Sequence, residues 1–500
     1  MDKKILFISL VMLLYFPMMA RAQSVINFPY FNEGTNSSGF TTLSSNGGLN
    51  YSADGIRLTN TTSQFTGIKL NGISFATSDG FDISFEFDMF GGSQVYGKNA
   101  DGIALVIFDG SIATPGIGAA GNSLGYTNSG PSGSANQGMQ GALLGIGLDE
   151  YGEFKARTRG SSTKYRNGVN TSVGGSAKSS QVVVRGPVGA DRYTGYPVLI
   201  SRRTASDEDR FALDYGNGTY SSSYSSFSSI TGNTFDLRGG ASGVTKDSSN
   251  PAYRKVFLRF LAGKNGTTDG YYLNLDIQHG TTRTSLFKDF FIPTTSIQYM
   301  EATARYTDTQ KTLSTGFPAT FSLGFTASTG GASQTQYVRN IRVSVPFAAI
   351  SNDDIINGAC KDTATTFDPL TNDLGYNSNQ YSPGVEPEAK EEYVDAGSFQ
   401  FKTLTNGVFQ DVAGNTYTSA YGTYTYNPAS HTVTFVPNST LINSGNTTIS
   451  EIIYYNINNK APLNGSNYRS MPSKITLNFS NSPCETNVIT NEYIIQPLFN

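Results

Sequence analysis

Hydrophobic and polar positions in this chain alternate with a period of two. The plainest stretch is Phe81–Phe90, where Phe81, Ile83, Phe85, Phe87 and Met89 fall on one side and Asp82, Ser84, Glu86 and Asp88 on the other. Period two is the signature of a strand, whose successive side chains point to opposite faces. One face is therefore expected to pack on a second sheet while the other meets water. Residues 253–261 and 271–278 alternate in the same way, with a hairpin turn over 263–270. Residues 181–184, 198–201, 320–326 and 337–345 read as further strands. Ile103-Ala104-Leu105-Val106-Ile107-Phe108 breaks the rule by being apolar throughout, which predicts a strand buried on both faces. Sheet on sheet, a β-sandwich, is the architecture this implies.

Between the strands lie two long stretches without periodicity. Residues 113–140 are rich in Gly, Ser and Asn, and a loop of that length inside a domain points to function or disorder. Residues 215–243, rich in Ser, Tyr and Gly, read as a solvent-facing surface loop. Pro346 ends this unit and 347–351 read as a linker. Beyond it, short strands at 422–427, 432–437, 452–457 and 475–479 predict a second, smaller antiparallel sandwich, with the acidic run 386–392 as a solvated loop.

Composition supports strands, because glycine is 54 of 500 residues and charged residues are only 15%, so good helix formers are scarce. A net charge of −3 gives no reason to expect nucleic acid. The local basic groups Arg157, Arg159, Lys164 and Arg166, and Arg202 with Arg203, read as solvated strand faces. At the N-terminus Lys3 and Lys4 precede an apolar run, 5–19, and Ala20-Arg21-Ala22 offers a cleavage site, which reads as a signal peptide over 1–22. Nothing later is long and apolar enough for a membrane segment. The protein is expected to be exported, to the extracellular space or cell surface, with the periplasm open. Export permits Cys360 and Cys484 to pair as a disulfide, the alternative being two reduced thiols. Only two histidines exist, which argues against a Ser-His-Asp arrangement, and no phosphate loop is present.

Several stretches carry a resemblance. Ala100-Asp101-Gly102 precedes the apolar strand; Gly121-Asn122-Ser123-Leu124-Gly125-Tyr126 follows; then come residues 144–154, reading LGIGLDEYGEF, and residues 323–331, reading LGFTASTGG, before Val338-Arg339-Asn340-Ile341. In this order, over residues 26–345, they resemble the legume-type (L-type) lectins in the form of bacterial members. The resemblance implies an all-β fold, a concanavalin A-like jelly-roll β-sandwich, and a site for glycans or glycoconjugates. Asp101 would accept sugar hydroxyls after a cis peptide at Ala100–Asp101, Gly121 or Asn122 would supply an N–H, and Gly330, Gly331 and Gln334 would stand in the variable specificity loop. With no tryptophan in the chain, stacking on a sugar falls to Tyr or Phe. Gly147 stands where the family's transition-metal glutamate would be, so no transition metal is expected. Asp149, the Tyr151 carbonyl and Glu153 leave calcium open, against an acidic turn with no metal.

Asn352-Asp353-Asp354 and the later Phe367-Asp368-Pro369-Leu370-Thr371-Asn372-Asp373 resemble the opening of bacterial cadherin-like or Ig-like modules. The organisation expected is signal peptide 1–22, lectin-like sandwich 23–346, linker 347–351, Ig/cadherin-like sandwich 352–485 and tail 486–500. An exported, adhesin-like lectin that binds glycans without chemistry is the leading reading. The alternatives are a structural display protein that binds no sugar and a glycoside hydrolase of the same fold. The hydrolase needs a carboxylate pair about 5–5.5 Å apart, and here Gly147 removes the nucleophile while Tyr151 and Gly152 stand at the acid–base position. Asp101, Gly121 or Asn122, Asp149 and the loop from Gly330 to Gln334 are expected to converge at one end of the first sandwich.

Overall fold

The computed structural model describes residues 24–25, 28–158, 165–304, 307–445, 447–460, 468–481, 484 and 487–490. The signal segment 1–22, Arg159 and Lys164 lie outside the described residues. Phe81–Phe90 is a ten-residue strand running antiparallel between Arg254–Asn265 and Thr335–Ser344 in an eight-stranded sheet. Its apolar side faces an eleven-stranded sheet, against which Phe81 meets Phe321 at 4.4 Å between ring centroids and Phe85 meets Phe325 at 4.9 Å. In that second sheet Gly102–Asp109 lies between Ala142–Asp149 and Thr320–Ser328, antiparallel to both. Ile103, Leu105 and Ile107 fill the space between the sheets. Ala104, Val106 and Phe108 point the other way, into a second core with Leu124, Tyr126, Phe154 and Tyr196 from the covering loops. The run is unbroken because both faces are dry, and each large side chain so buried contributes about 1.5–3 kcal/mol over leaving it exposed.

Three expectations fail here for one reason. The acidic face of Phe81–Phe90 does not meet water: Asp82, Ser84, Glu86 and Asp88 are all buried. Arg259 holds Asp82 at 2.9 Å, and Arg339 bridges Glu86, at 2.8 Å, and Asp88. Buried charges are tolerated because they are paired and hydrogen-bonded. Arg157, Arg166 and Arg202 are likewise buried rather than solvated. Within 215–243, read as a surface loop, Ile230, Phe235 and Leu237 are buried in the inter-sheet core. Local pattern assigns a residue to a side of its strand but carries no information about what distant chain covers that side.

A six-stranded and a four-stranded sheet make the second sandwich, around Ile356, Phe401, Tyr424, Phe435, Tyr455 and Leu477. It is not wholly antiparallel, since Asp354–Cys360 pairs in parallel with Ser473–Ser480. Asn487–Thr490, inside the expected tail, pairs antiparallel with the same strand. Cys360 and Cys484 form a disulfide with Cα atoms 5.6 Å apart. The expected linker is packed, Phe347 and Ala349 both being buried. The Phe347 ring stacks 5.2 Å from the Arg259 guanidinium, which joins the two sandwiches.

Asp354 and Asp373 are buried together beside the Tyr455 hydroxyl, 3.3 Å from the first and 3.0 Å from the second. Burial above all, reinforced by the neighbouring acids, pushes Asp354 up to about 8 and raises Asp373 as well. Such acids hold protons more tightly folded than unfolded. Their contribution to stability is therefore full at acid pH and declines as pH rises from the ordinary aspartate range through about 8. The second sandwich is expected to melt at a higher temperature near about pH 6 than near about pH 9, and Asp373→Asn to flatten that slope. A Tm–pH series on both proteins checks it, and an unchanged slope in the variant would count against the buried pair.

Candidate functional site

Strand register gathers the predicted residues. Gly102 lies opposite Asp149 on one side and Ser328 on the other, so the start of the central strand and the ends of both neighbours share one edge. Asp101 immediately precedes Gly102, and the Ala100–Asp101 peptide is cis. The Asp101 N–H donates to Ser328 O at 2.9 Å, while its carbonyl accepts from the N–H groups of Glu150, at 2.9 Å, and Tyr151, at 3.2 Å. The carboxylate sits beside Gly330, where a Cβ would lie 3.7 Å from Oδ2. Gly331 is exposed.

The loop carrying these glycines is pinned from several sides. Ser63 N–H donates to Gly330 O at 3.0 Å, Ser333 and Ser93 exchange hydrogen bonds, and Asn99 Nδ2 donates to Ser333 O at 2.8 Å. Gln334 takes no part in the surface. It is fully buried with Nε2 3.5 Å from the Met89 sulfur, so it offers no group to a ligand in this conformation. Asn99 was invisible as a positioning group in the sequence because its partners lie on loops before and after it.

Gly121–Ser123 forms a buried 3-10 turn, tied to the neighbouring strand where Thr326 Oγ1 donates to Leu124 O. The Asn122 side chain turns inward, Nδ2 donating to Glu153 Oε2 at 2.5 Å. Asp149 is fully buried, its two oxygens accepting from Gly152 N–H at 2.8 Å and Phe154 N–H at 2.7 Å. Burial pushes its carboxyl up to about 6 against the pull of those two donors. Gly152 has φ +96° and its Cα faces Lys178 O so closely that a Cβ would lie 2.0 Å from it, which only glycine permits. Glu153 Oε1 accepts from Gly174 N–H. The Lys98 ammonium lies 4.5 Å over the Tyr151 ring and donates to Gly174 O at 2.7 Å and Ala177 O at 2.9 Å. Burial raises the Tyr151 hydroxyl, with Glu153, Tyr96 and Asp101 adding to the effect, which puts those groups in one electrostatic neighbourhood. Tyr96 is 73% exposed at the Val95–Lys98 turn. No strand period marks it, and its exposure comes only from the fold.

Calcium takes six to eight oxygen ligands. Here both oxygens of Asp149 and of Glu153 already accept N–H groups, and the Arg166 guanidinium occupies the space among Asn122 O, Ser123 Oγ and Glu153 O. Each carboxylate oxygen keeps a lone pair, but Lys155 and Arg166 already set positive charge against Asp149, so a divalent cation would enter against like charge and the set fits it poorly. At Gly147 a Cβ would lie 2.3 Å from the Phe154 ring, so aromatic carbon fills the position at which a metal-holding or nucleophilic glutamate would stand.

No protein-family model and no curated protein matches this chain. Solved structures similar to it include L-type lectins and VIP36. The lectin from Bauhinia forficata in complex with GalNAc is 12% identical, with 64% of this chain and 97% of that chain covered and a TM-score of 0.32. The Lotus tetragonolobus seed lectin isoform is 14% identical, covering 64% and 97%, with a TM-score of 0.35. The exoplasmic/lumenal domain of VIP36, in its Ca2+/Man3GlcNAc-bound form, is 11% identical, covering 63% and 88%, with a TM-score of 0.31.

Proposed function

We propose that the larger sandwich is a carbohydrate-binding domain of an exported, adhesin-like protein, recognising extracellular glycans without chemistry. The observation that carries this reading is the convergence of the Asp101 carboxylate, Gly330 and the Tyr151 loop at one sheet edge, with Tyr96 exposed nearby. Carboxylate oxygens accept hydroxyl protons strongly, glycines let a ligand approach the backbone, and an aromatic face covers the apolar side of a sugar ring. The second sandwich serves as a cadherin-like or Ig-like spacer. Gln334 buried in the core and Asp101 at 6% exposure favour a second reading, a display protein whose sandwich no longer binds sugar. A glycan array with the full secreted chain separates the two. Binding is expected, and Tyr96→Ala is expected to weaken it about two- to tenfold. A blank array would leave the display protein as the reading.

A further inference from the structure

Arg166 is buried on a loop that the sequence marks only as basic. Its guanidinium reaches two other loops at once. Nε donates to Ala156 O at 2.9 Å and Nη2 to Glu153 O, both on the segment that follows Asp149. Nη1 donates to Asn122 O at 3.1 Å and Ser123 Oγ at 2.8 Å, with Asn122 Oδ1 at 3.4 Å, all on the loop that begins at Gly121. Backbone carbonyls, an amide oxygen and a hydroxyl are the hard-oxygen donors a calcium ion also collects. A planar fork of five N–H donors satisfies such a set without a metal, and arginine stays charged at any working pH. A second guanidinium, that of the fully buried Arg185, gathers Phe154 O, at 2.9 Å from Nε, and Tyr196 O, at 2.6 Å from Nη1. Glu153 then completes the closure, one oxygen on Asn122 Nδ2 and the other on Gly174 N–H.

We infer that Arg166 is the internal cation that clamps the 121–123 loop to the 149–157 loop, so that this end of the sandwich is held without a metal ion. Arg166 is a positioning residue. It does not line the surface near Asp101 but fixes the 121–123 turn against the segment that follows Asp149. The clamp stands on these contacts whether or not the loops bind sugar; only its effect on ligand affinity rests on the lectin reading.

The test uses the full secreted chain as wild type, Arg166→Lys and Arg166→Met. For the wild type, Tm and amide hydrogen exchange at Gly152, Phe154 and Gly174 are expected to be the same in millimolar calcium and in excess EDTA. Protection at those three amides is expected to fall at least about tenfold in Arg166→Met, because a charge-assisted clamp is lost. Arg166→Lys, which keeps the charge but not the fork, is expected to retain part of the protection and to serve if the Met variant does not fold. Millimolar methylguanidinium added to Arg166→Met is expected to restore protection, which a generally loosened core would not do. Calcium that raises the wild-type Tm, or EDTA that strips protection from those amides, would overturn the inference. So would full protection in Arg166→Met, or a failure of methylguanidinium to rescue it. These readouts involve no sugar, so a blank glycan array defeats the lectin reading and leaves this one to be decided on its own.

Discussion

Asp101→Asn is expected to cost the protein most of its glycan binding while leaving its melting temperature almost unchanged. The side chain keeps its shape and one carbonyl oxygen, but the anionic acceptor is gone, and hydrogen bonds to an ionised group are roughly twice as strong as neutral ones. Losing about half of the 1.5–3 kcal/mol that such a charged bond contributes, about 0.8–1.5 kcal/mol, corresponds to a weakening of about four- to twelvefold for each hydroxyl held. Stability is spared because the bonds that hold this corner of the sheet are made by the main chain, from Asp101 N–H to Ser328 O and from Glu150 and Tyr151 N–H to Asp101 O. Titration calorimetry with a glycan that the array identifies, alongside a thermal melt, reads both quantities. Equal affinity for wild type and variant would take Asp101 out of the site.

The largest effect on stability is expected from the single disulfide. Cys360 ends the strand that holds both Ser473–Ser480 and Asn487–Thr490, and Cys484 lies between those two partners. The bond closes a loop with a sequence separation of 124, worth about 4–5 kcal/mol in the chain-entropy model. A domain of this size is stable by only about 5–15 kcal/mol, so the loss takes a large share of the total. Replacing both cysteines by serine, or reducing the native protein, is expected to lower the Tm of the second sandwich by roughly 15 °C. The Asp101 edge belongs to the other sandwich, and glycan affinity below that transition should stay put. A Tm that does not move once mass spectrometry shows free thiols would mean the cross-link contributes little.

The strands were legible because alternation is local. Phe81–Phe90 announces its core side residue by residue, and the unbroken run at Ile103 to Phe108 announces two dry faces. The gathering of Asp101 with the Gly330 loop was legible through motif order, which register then explains: antiparallel neighbours return their ends to the same edge. The ion pairs that replace water on Asp82 and Glu86 were not legible. Arg259 and Arg339 stand more than a hundred and fifty positions away, and no periodicity links them to their acids. Arg166 was misread for the same cause. A basic residue in a polar stretch looks solvated until the fold wraps oxygen atoms around it. Gln334 shows the opposite error, a polar residue in a polar loop whose side chain drops into the core beside Met89.

The joint between the sandwiches has a mechanical consequence. Asp82, paired with Ser344 in register and with Arg259 by charge, lies near one end of the ten-residue Phe81–Phe90 strand, beneath Phe347. Phe90, opposite Thr335, lies at the other end, next to the pinned loop at Ser333. At about 3.4 Å per residue the two ends are roughly 30 Å apart. Tyr381 hydroxyl donating to the Asp289 carboxylate, Asn36 Nδ2 reaching Asn406 O at 2.6 Å, and Phe31 against Phe409 at 5.1 Å tie the second sandwich down at several separate points, so the joint is no hinge. Tension applied to the second sandwich while the Asp101 edge is anchored is therefore carried along the strands. The ladder between Phe81–Phe90 and Thr335–Ser344 is loaded in shear, with its hydrogen bonds sharing the force together rather than unzipping one at a time.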